Sequence, residues 1–377
     1  MTRAPRVVYW NNIPAPYMVE RFDALAERGN LAFEAWFSAR TEEDRSWVVE
    51  ESSWRFSYRY LPSLPGLAVA LPLPAFRARP DLLVSLHASP SFVIGSSVAS
   101  LRGVRIAYWV EVTFDAWIRR RPWKERLKRK LLPRADGILT AGRDGKAFAQ
   151  RYGASPERTF VVPHVIDFKR YAAGSTAART QRDQIREALG LRGVTFVYVG
   201  RLWRGKGLDH LLDAFVGVQR RSTGDVSLLL VGDGADEARL RNRCTNEGIE
   251  NVVFAGFRDG DELPPLYAAA DVFVFPTLGD PFGMVVLEAM ACGLPVISTS
   301  AAGEIADRID EGVNGFVVPP GDANALHAPM EALARDESLR ARLAAAAVAS
   351  VSSQSPHVWA EAFEEAVDKI LSLPRIR

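Results

Sequence analysis

Short runs of apolar residues, separated by helix-like segments, recur along the whole chain. We predict strands at 6–10, 31–37, 81–86, 104–110, 137–142 and 160–164, and then at 195–200, 227–234, 251–256, 272–276 and 295–300. Runs that are apolar throughout are typical of parallel strands covered on both faces. Their alternation with helical patterns predicts an α/β protein with two doubly wound, Rossmann-like domains that face each other across a cleft.

The two series of strands are separated by residues 168–190, a polar, alanine-rich stretch with no strand pattern, which we interpret as a linker and a first helix. We therefore expect a first domain over 1–168 and a second over 190–355. The tail, 356–377, repeats apolar residues at helical spacing. This spacing predicts a closing helix that packs back on the first domain.

Composition excludes several classes of protein. Of the 377 residues, 48% are hydrophobic, which is ample for two packed cores. Lys plus Arg (47) nearly balances Asp plus Glu (45), so the net charge of +2 gives no support for a nucleic-acid partner. Two cysteines are too few for a disulfide framework, and no run reaches the roughly 18 apolar residues of a membrane span. We expect a cytoplasmic protein that is either soluble or peripheral on the inner face of the membrane.

The stretch VGRLWRGKG, at 199–207, has the composition of an anion-binding loop. It lies between a predicted strand and a helical pattern, so a helix N-terminus would face a bound anion. Its glycines allow close approach of the backbone, while Arg201 and Lys206 offer a planar fork and a point charge to phosphate oxygens. It lacks the P-loop and dinucleotide signatures. The alternative is a solvated, glycine-rich turn with two incidental cations.

A second loop lies in DVFVFPTLGDPFGMVVLEAMACGLPVIS, at 271–298, before a helix predicted over about 282–292. We expect Asp280 to accept hydrogen bonds from sugar hydroxyls and Glu288 to bind a ribose diol. The unpaired N–H groups at the start of this helix, which would face sugar or phosphate oxygens, are those of Phe282, Gly283, Met284 and Val285. The alternatives are that Asp280 only satisfies backbone N–H groups, and that Glu288 is exposed or pairs with an Arg.

Together the two loops resemble glycosyltransferase family 4, whose members are retaining enzymes with the two-domain GT-B fold. The matches are GRLWRGKG and, in the second loop, Phe282, Gly283, Glu288, Ala289, Met290, Gly293 and Pro295. VGDGADEARL, VVFAGFRD and EGVNGFVVPPGD match further signatures, and the second of these places Phe257 and Arg258 near the base. The chain departs from the family at Asp280, where Glu is usual, and at NNIPAPY, where a glycine pair is common.

The resemblance implies a retaining glycosyltransferase that moves a hexose-type sugar from a nucleoside diphosphate sugar, with UDP or GDP as the expected nucleotide. Gly200 then joins the donor-binding residues, and Arg201 and Lys206 stabilise the leaving diphosphate without a metal or other cofactor. Asp280 and Glu111 complete the candidate catalytic residues. The expected acceptor is a sugar, a glycolipid or a lipid-diphosphate-linked sugar, as in bacterial polysaccharide or lipopolysaccharide assembly. An epimerase of the same fold and a non-catalytic sugar-nucleotide-binding subunit are the alternatives.

Polar residues at strand ends in the first half are candidates for the acceptor side. The family often carries a His after a central strand, close to the transferred sugar, and the corresponding position here is Glu111. His87 closes another predicted strand, and Asn11 and Asn12 follow the first one. The alternative is that all four residues have structural roles only. The asparagines would then form a turn, and His87 would be a hydrogen-bonded residue at the end of a strand.

The segment IRRRPWKERLKRKLLPR, at 118–134, carries nine basic residues and one acidic residue. Its apolar residues recur near helical spacing, which predicts a basic amphipathic helix. Such a helix can lie on an anionic membrane surface or attract a lipid-diphosphate acceptor. The alternative is the solvated face of a helix that packs on the core.

The sequence DGD, at 259–261, resembles the metal-binding D-x-D motif of another class of glycosyltransferase. It follows a different strand from that motif, and a helical pattern comes directly after it. We interpret Asp261 as an N-cap and predict no metal site.

Overall fold

The structure is a computed structural model, and it describes residues 3–41, 50–62, 79–86, 90–110, 122–222 and 224–376. The described chain divides into two compact units. The first unit comprises the residues up to 110, residues 122–165 and residues 356–376, and the second comprises 166–355. The polar stretch 168–190 belongs to the second unit, in which it forms two helices.

A parallel sheet forms the centre of the first unit. Its strands are β1 (Arg6–Asn11), β2 (Ala32–Phe37), β3 (Ser57–Tyr60), β4 (Leu82–Leu86), β5 (Arg105–Val110), β6 (Gly137–Thr140) and β7 (Thr159–Val161). The helices of this unit are α1 (Pro16–Arg28), α2 (Pro90–Leu101), α3 (Pro122–Leu131), α4 (Arg143–Arg151) and, from the end of the chain, α13 (Pro356–Ser372). The strand order is β3-β2-β1-β4-β5-β6-β7.

The second unit has the same architecture. Its strands are β8 (Val194–Val199), β9 (Val226–Val231), β10 (Val252–Gly256), β11 (Val272–Phe275), β12 (Val296–Thr299) and β13 (Gly315–Val318). Its helices are α5 (Phe168–Arg179), α6 (Arg182–Leu189), α7 (Leu208–Arg221), α8 (Glu237–Glu247), α9 (Leu263–Ala269), α10 (Met284–Ala291), α11 (Ala323–Arg335) and α12 (Glu337–Val351). The strand order is β10-β9-β8-β11-β12-β13.

Both sheets are doubly wound, which confirms the predicted fold class. In each sheet the chain starts at an inner strand, fills one side and then crosses to the other side, so that the order reverses between β1 and β4 and between β8 and β11. Ligands of open parallel sheets bind outside the carboxyl ends of the strands at this reversal. In the second unit the loops after β8 and β11 are the two loops with the predicted donor-binding residues.

The apolar patterns located eleven strands and missed β3 and β13, each of which lies at one edge of its sheet. The sequence of β3 is SYRY, and its side chains are exposed or half-buried. In β13 the two central residues are half-buried. An edge strand pairs on one side only and need not be apolar throughout, so its signal in the sequence is weak.

Helix α13 belongs to the core of the first unit although it closes the chain. Trp359, Phe363 and Ile370 are fully buried. The Trp359 ring stacks on Phe363 with 4.9 Å between ring centres and lies 6.0 Å from Phe22 of α1. The helical spacing in the sequence therefore marks a face that packs against the body of this unit.

The basic segment 118–134 contains α3, while residues 118–121 lie outside the described part of the chain. No residue of α3 is buried, and the Trp123 side chain is 47% exposed. Leu132, directly after α3, is the first buried residue of the described segment 122–134. Helix α3 thus presents basic side chains and an exposed indole, and membrane contact through this surface stays a prediction.

The capping prediction for the DGD motif was wrong by two residues. The carboxylate of Asp259 accepts the N–H of Gly260 at 2.8 Å, and Glu262 completes a capping box with the N–H of Asp259. Asp261 instead pairs with Arg170 at 2.8 Å. The first Asp caps because the short turn at Gly260 starts earlier than the helical pattern suggests.

Candidate active site

The loop after β8 runs from Gly200 to Gly207. Gly200 has a φ of 147°, and its N–H donates to the carbonyl of Val231 at 2.9 Å. Gly207 has a φ of 67° and is the N-cap of α7. A Cβ at Gly207 would lie 2.0 Å from the carbonyl oxygen of Pro276. Only glycine allows this loop to pass so close to the loop after β11.

Hydrogen bonds join the loops that follow β8, β11 and β12. The carbonyl of Gly205 accepts the N–H of Leu278 at 2.9 Å and the hydroxyl of Thr277 at 3.3 Å. The hydroxyl of Thr299 donates to the carbonyl of Thr277 at 2.5 Å. We call residues 200–207, 276–283 and 300–308 the three-loop platform. It lies at the carboxyl edge of the second sheet and is fixed by its own backbone.

Asp280 occupies the start of α10 within this platform. Its Oδ1 accepts the N–H groups of Phe282 at 2.8 Å and Gly283 at 2.7 Å, and its Oδ2 pairs with Nζ of Lys206. The prediction that the N–H groups of Phe282 and Gly283 are unpaired is therefore wrong. Helix α10 begins later than predicted, at Met284, because Gly283 turns into the left-handed region as its N-cap.

The Lys206–Asp280 ion pair is largely buried, with the two side chains 11% and 16% exposed. Burial alone would raise the pKa of the Asp280 carboxyl, but the charge and hydrogen bond of Lys206 and the two backbone N–H groups lower it below 3.8. Nζ of Lys206 also lies 5.3 Å from the centre of the Phe275 ring. At neutral pH this site therefore holds a charged carboxylate beside a cation.

Arg201 lies two residues beyond the end of β8 and is half-buried. Its guanidinium carbon lies 5.7 Å from the centre of the Trp203 ring. The carbonyl of Arg201 accepts the hydroxyl of Tyr198 at 2.9 Å. Burial, together with the nearby charge of Asp280, raises the pKa of Tyr198 well above its ordinary value, so this phenol stays a donor. Sequence reasoning missed Tyr198 because it reads as one more apolar residue of β8.

Glu288 lies in the second turn of α10 and is half-buried, so the exposed alternative does not hold. Its Oε2 accepts the hydroxyl of Tyr267 at 3.0 Å. Tyr267 is fully buried, and burial, with the charge of Glu288, raises the pKa of Tyr267 well above its ordinary value. A neutral phenol thus orients one oxygen of Glu288.

Arg258 follows β10 and is exposed. Its Nη1 donates to the carbonyl of Phe257 at 2.8 Å, and its Nε lies 4.0 Å from the Glu262 carboxylate. The residue belongs to the carboxyl edge of the same sheet, on the side of β10. The structure records no contact between Arg258 and the three-loop platform among the described residues, and its role near the base stays a prediction.

Arg308 belongs to the platform, although no sequence motif singled it out. Its Nη1 donates to the carbonyl of Phe282 and, at 3.2 Å, to that of Gly283. Burial lowers the pKa of Arg308 to about 10, against the opposing charges of Glu304, Asp280 and other nearby carboxylates. The guanidinium is therefore protonated at neutral pH and bonds the backbone at the start of α10.

The structure covers the acceptor-side candidates only in part, since His87 and Glu111 lie outside the described residues. Oδ1 of Asn11 accepts the N–H of Asn12 at 2.8 Å, and the carbonyl of Asn12 accepts the N–H of Ala39 at 2.9 Å. These contacts form the turn after β1 and join it to the loop after β2. An acceptor contact at the asparagines stays a prediction.

Residues 181–349 match the family model described as glycosyl transferases group 1. The matched range contains the whole three-loop platform together with Glu288 and Arg258. This segment is a glycosyl transferases group 1 domain. The family resemblance drawn from the sequence motifs is thereby confirmed for residues 181–349, the segment that contains the platform.

Two relatives each match about half of the chain. Mannosylfructose-phosphate synthase of Agrobacterium fabrum is 32% identical over 200 residues, which are 51% of this chain and 43% of the relative. A D-inositol 3-phosphate glycosyltransferase of Salinispora arenicola is 32% identical over 205 residues, or 52% of this chain and 46% of the relative. In both cases the match spans less than half of the relative's length.

The similarity of fold extends over nearly the whole chain. The crystal structure of Anabaena Alr3699/HepE in complex with UDP-glucose superposes with a TM-score of 0.77, over 98% of this chain and 100% of that chain. The sequence identity is 21%. Both units of the chain therefore have the fold of this crystal structure.

Proposed function

We propose that the protein is a glycosyltransferase that takes a sugar from a nucleoside diphosphate sugar bound to its second unit. The observation that carries this proposal is the three-loop platform of a glycosyl transferases group 1 domain, in which Lys206, Arg308 and the start of α10 surround Asp280. Cations and a helix N-terminus at the carboxyl edge of a parallel sheet suit a diphosphate.

The residues of the platform suit distinct parts of a donor. Arg201 and Lys206 would bind the diphosphate and stabilise its charge as it leaves. Glu288, with one oxygen oriented by a neutral phenol, would accept the hydroxyls of a ribose. Asp280 would bind a sugar hydroxyl through the lone pairs that the protein leaves available, since each carboxylate oxygen can accept more than one hydrogen bond.

A UDP-hexose is the proposed donor. Support comes from the UDP-glucose in the HepE complex and from relatives whose names specify sugar transfer. By resemblance to the family, the anomeric configuration is retained. The acceptor oxygen bonds to C1 on the face from which the diphosphate leaves, and a donor phosphate oxygen takes the acceptor proton. This route requires no protein nucleophile and no metal ion.

The proposed acceptor is a sugar, a glycolipid or a lipid-diphosphate-linked sugar of polysaccharide or lipopolysaccharide assembly. Helix α3 supports a lipid-bound acceptor because it places Trp123 and the exposed cations Arg126, Arg129 and Lys130 on one short helix. Among the described residues, no helix combines the length and apolar character that crossing a membrane requires. The proposed contact at the membrane surface rests on these exposed residues of α3.

A liposome test addresses this contact. Wild type is expected to bind vesicles that contain phosphatidylglycerol and to be released by salt, while R129E/K130E binds weakly. The double variant R220E/R221E reverses two exposed, adjacent arginines at the end of α7 and is the matched control. Equal binding by the two double variants, or no binding by wild type, would exclude α3 as a membrane contact.

The nucleotide is identified by a thermal-shift screen with UDP, GDP, ADP, CMP and dTDP, without added metal. A ligand at about 100 times its dissociation constant stabilises a protein by about 2.7 kcal/mol, which is readily measured. We expect a shift with UDP in wild type and a much smaller one in Glu288→Gln. No shift with any of the nucleotides would exclude the proposed donor site.

Two other functions are compatible with a sugar-nucleotide site, an epimerase and a non-catalytic binding subunit. A glycosyltransferase slowly hydrolyses its donor to free sugar and UDP. An epimerase changes the configuration of the sugar while the nucleotide stays attached, and a binding subunit leaves the donor intact. Chromatography of UDP-glucose after incubation with the protein therefore separates the three.

A further inference from the structure

The backbone at the start of α10 is held from both sides. Asp280 accepts the N–H groups of Phe282 and Gly283, at 2.8 and 2.7 Å. Arg308 donates to the carbonyl oxygens of the same two residues. The carboxylate thus fixes the donors of the turn and the guanidinium fixes its acceptors. Hydrogen bonds that involve a charged partner are roughly twice as strong as neutral ones.

This turn requires outside support because of its conformation. Gly283 has a φ of 51°, and a Cβ at this position would lie 3.0 Å from the Phe275 ring. The position therefore favours glycine, the residue that loses most conformational freedom on folding. Without contacts from neighbouring segments, the turn would sample several conformations, and the first N–H groups of α10 would change direction with it.

The loop that carries Arg308 is in direct backbone contact with the turn. The N–H of Gly303 donates to the carbonyl of Asp280 at 2.7 Å, and a Cβ on Gly303 would lie 2.1 Å from the carbonyl oxygen of Pro281. Glu304, which follows, is buried and has a φ of 57°. A buried, non-glycine residue in the left-handed region is uncommon, and such strain clusters at functional sites.

We propose that Arg308 is a positioning residue of the donor site, which fixes the Phe282–Gly283 turn and thereby the direction of the first N–H groups of α10. The identity of the ligand, a nucleoside diphosphate sugar, rests on the proposed function. The ordering of the turn by Arg308 is independent of the proposed function, because it concerns contacts within the protein. The protonated guanidinium also adds positive charge below the helix start, in the same direction as the helix dipole.

Arg340 offers a matched control for Arg308. Its Nη1 also donates to two successive backbone carbonyls, those of Leu333 at 2.6 Å and Ala334 at 3.3 Å. These lie at the end of α11, outside the three-loop platform. R308Q and R340Q therefore remove the same kind of contact from the same unit, and only R308Q removes it from the platform.

The first measurement is hydrogen exchange of the backbone amides of residues 282–287 without nucleotide. We expect exchange in R308Q to be faster than in wild type by about tenfold, which corresponds to about 1.4 kcal/mol, and exchange in R340Q to be unchanged in this segment. Protection in R308Q equal to that of wild type would overturn the proposal. If R308Q does not fold, R308K replaces it, and full wild-type protection in R308K would overturn the proposal that the Arg308 guanidinium fixes the turn.

The second measurement is UDP binding by calorimetry. R308Q is expected to bind UDP about tenfold more weakly than R340Q, although the two variants unfold at similar temperatures. Equal affinities would overturn the link between the turn and the donor. If wild type binds no nucleoside diphosphate, the proposed function fails, and the exchange measurement still decides whether Arg308 orders the turn.

Discussion

At the scale of single residues, Lys206 interacts with Asp280 in the structure and with the diphosphate in the proposed reaction. In the structure its ammonium pairs with the largely buried carboxylate of Asp280. In the proposed reaction it also faces the diphosphate, whose negative charge grows as the bond to the sugar breaks. An interaction that strengthens in the transition state affects turnover more than binding of the ground state.

We therefore predict that Lys206→Ala lowers turnover by about 10²–10³-fold, as is typical for loss of one charge-stabilising group. The dissociation constant for the intact donor, UDP-glucose, is expected to change much less. Release of UDP from UDP-glucose gives the first quantity and calorimetry the second. Lys169→Ala, at an exposed position of α5, serves as the control. Losses of equal size in turnover and affinity would contradict a leaving-group role.

The ionisation of the Asp280 carboxylate makes the free energy of unfolding depend on pH. Its pKa in the folded protein is lowered below 3.8, so the folded state binds fewer protons than the unfolded state as the pH approaches that value. The carboxylate therefore contributes stability above its ordinary pKa, and this contribution is lost as the pH falls through the lowered value.

We predict that Asp280→Asn is less stable than wild type at neutral pH and that the difference narrows below pH 3.8. Urea unfolding at a series of pH values measures the difference. Asp336→Asn provides a comparison, because backbone and side-chain hydrogen bonds lower the pKa of Asp336 at an exposed helix cap. A constant difference between wild type and Asp280→Asn across the acidic range would show that this carboxylate is not the titrating group.

At the scale of elements, the approach of two loops depends on Gly207. Both Gly207 and Gly248 have left-handed backbones, with φ of 67° and 64°; Gly207 caps the start of α7 and Gly248 caps the end of α8. A Cβ on Gly248 would meet open space, whereas one on Gly207 would lie 2.0 Å from the carbonyl oxygen of Pro276. The two positions share backbone strain and differ in the space for a side chain.

Gly248→Ala is accordingly predicted to cost about 1–2 kcal/mol of unfolding free energy, the strain of a left-handed alanine. Gly207→Ala is predicted to cost more than this and to weaken UDP binding as well, because the loops after β8 and β11 must separate. Chemical denaturation and calorimetry give the two quantities. If both variants lose the same stability and retain UDP binding, the close approach of these loops is not required.

The elements differ in how far their sequences predict them. Buried parallel strands such as β5 and β9 consist almost entirely of apolar residues, so their bounds follow from the pattern within a few residues. The edge strand β3 carries a polar SYRY pattern that gives no such signal. Helix α10 starts later than its pattern suggests, because the left-handed Gly283 and the side chain of Asp280 determine the start, and neither affects apolar periodicity.

At the scale of the whole molecule, local patterns identify the loops that carry the candidate site but not the contacts made across them. Lys206 and Asp280 were selected from glycine-rich and helix-start signals within their own segments. Their pairing joins positions 74 apart in the sequence. Arg308 and Tyr267 are ordinary residues of their own segments, and they support the site only because the sheet brings distant loops together.

The core of the first unit also depends on residues that are distant in the sequence, because α13, the last helix of the chain, completes this core. The fully buried Trp359 packs against both Phe363 and Phe22. We predict that Trp359→Ala costs about 3–5 kcal/mol, the range for removal of a buried aromatic side chain. The loss belongs to the first unit, so UDP binding by the second unit should persist.

Differential scanning calorimetry with and without UDP tests this prediction. UDP raises the transition of the unit that binds it, which identifies the second unit. Trp359→Ala should lower the other transition. Val358→Ala, at the neighbouring position with 38% exposure, should leave both transitions nearly unchanged. If Trp359→Ala lowers both transitions equally, the two units unfold as one cooperative body, and α13 then stabilises the whole chain rather than the first unit alone.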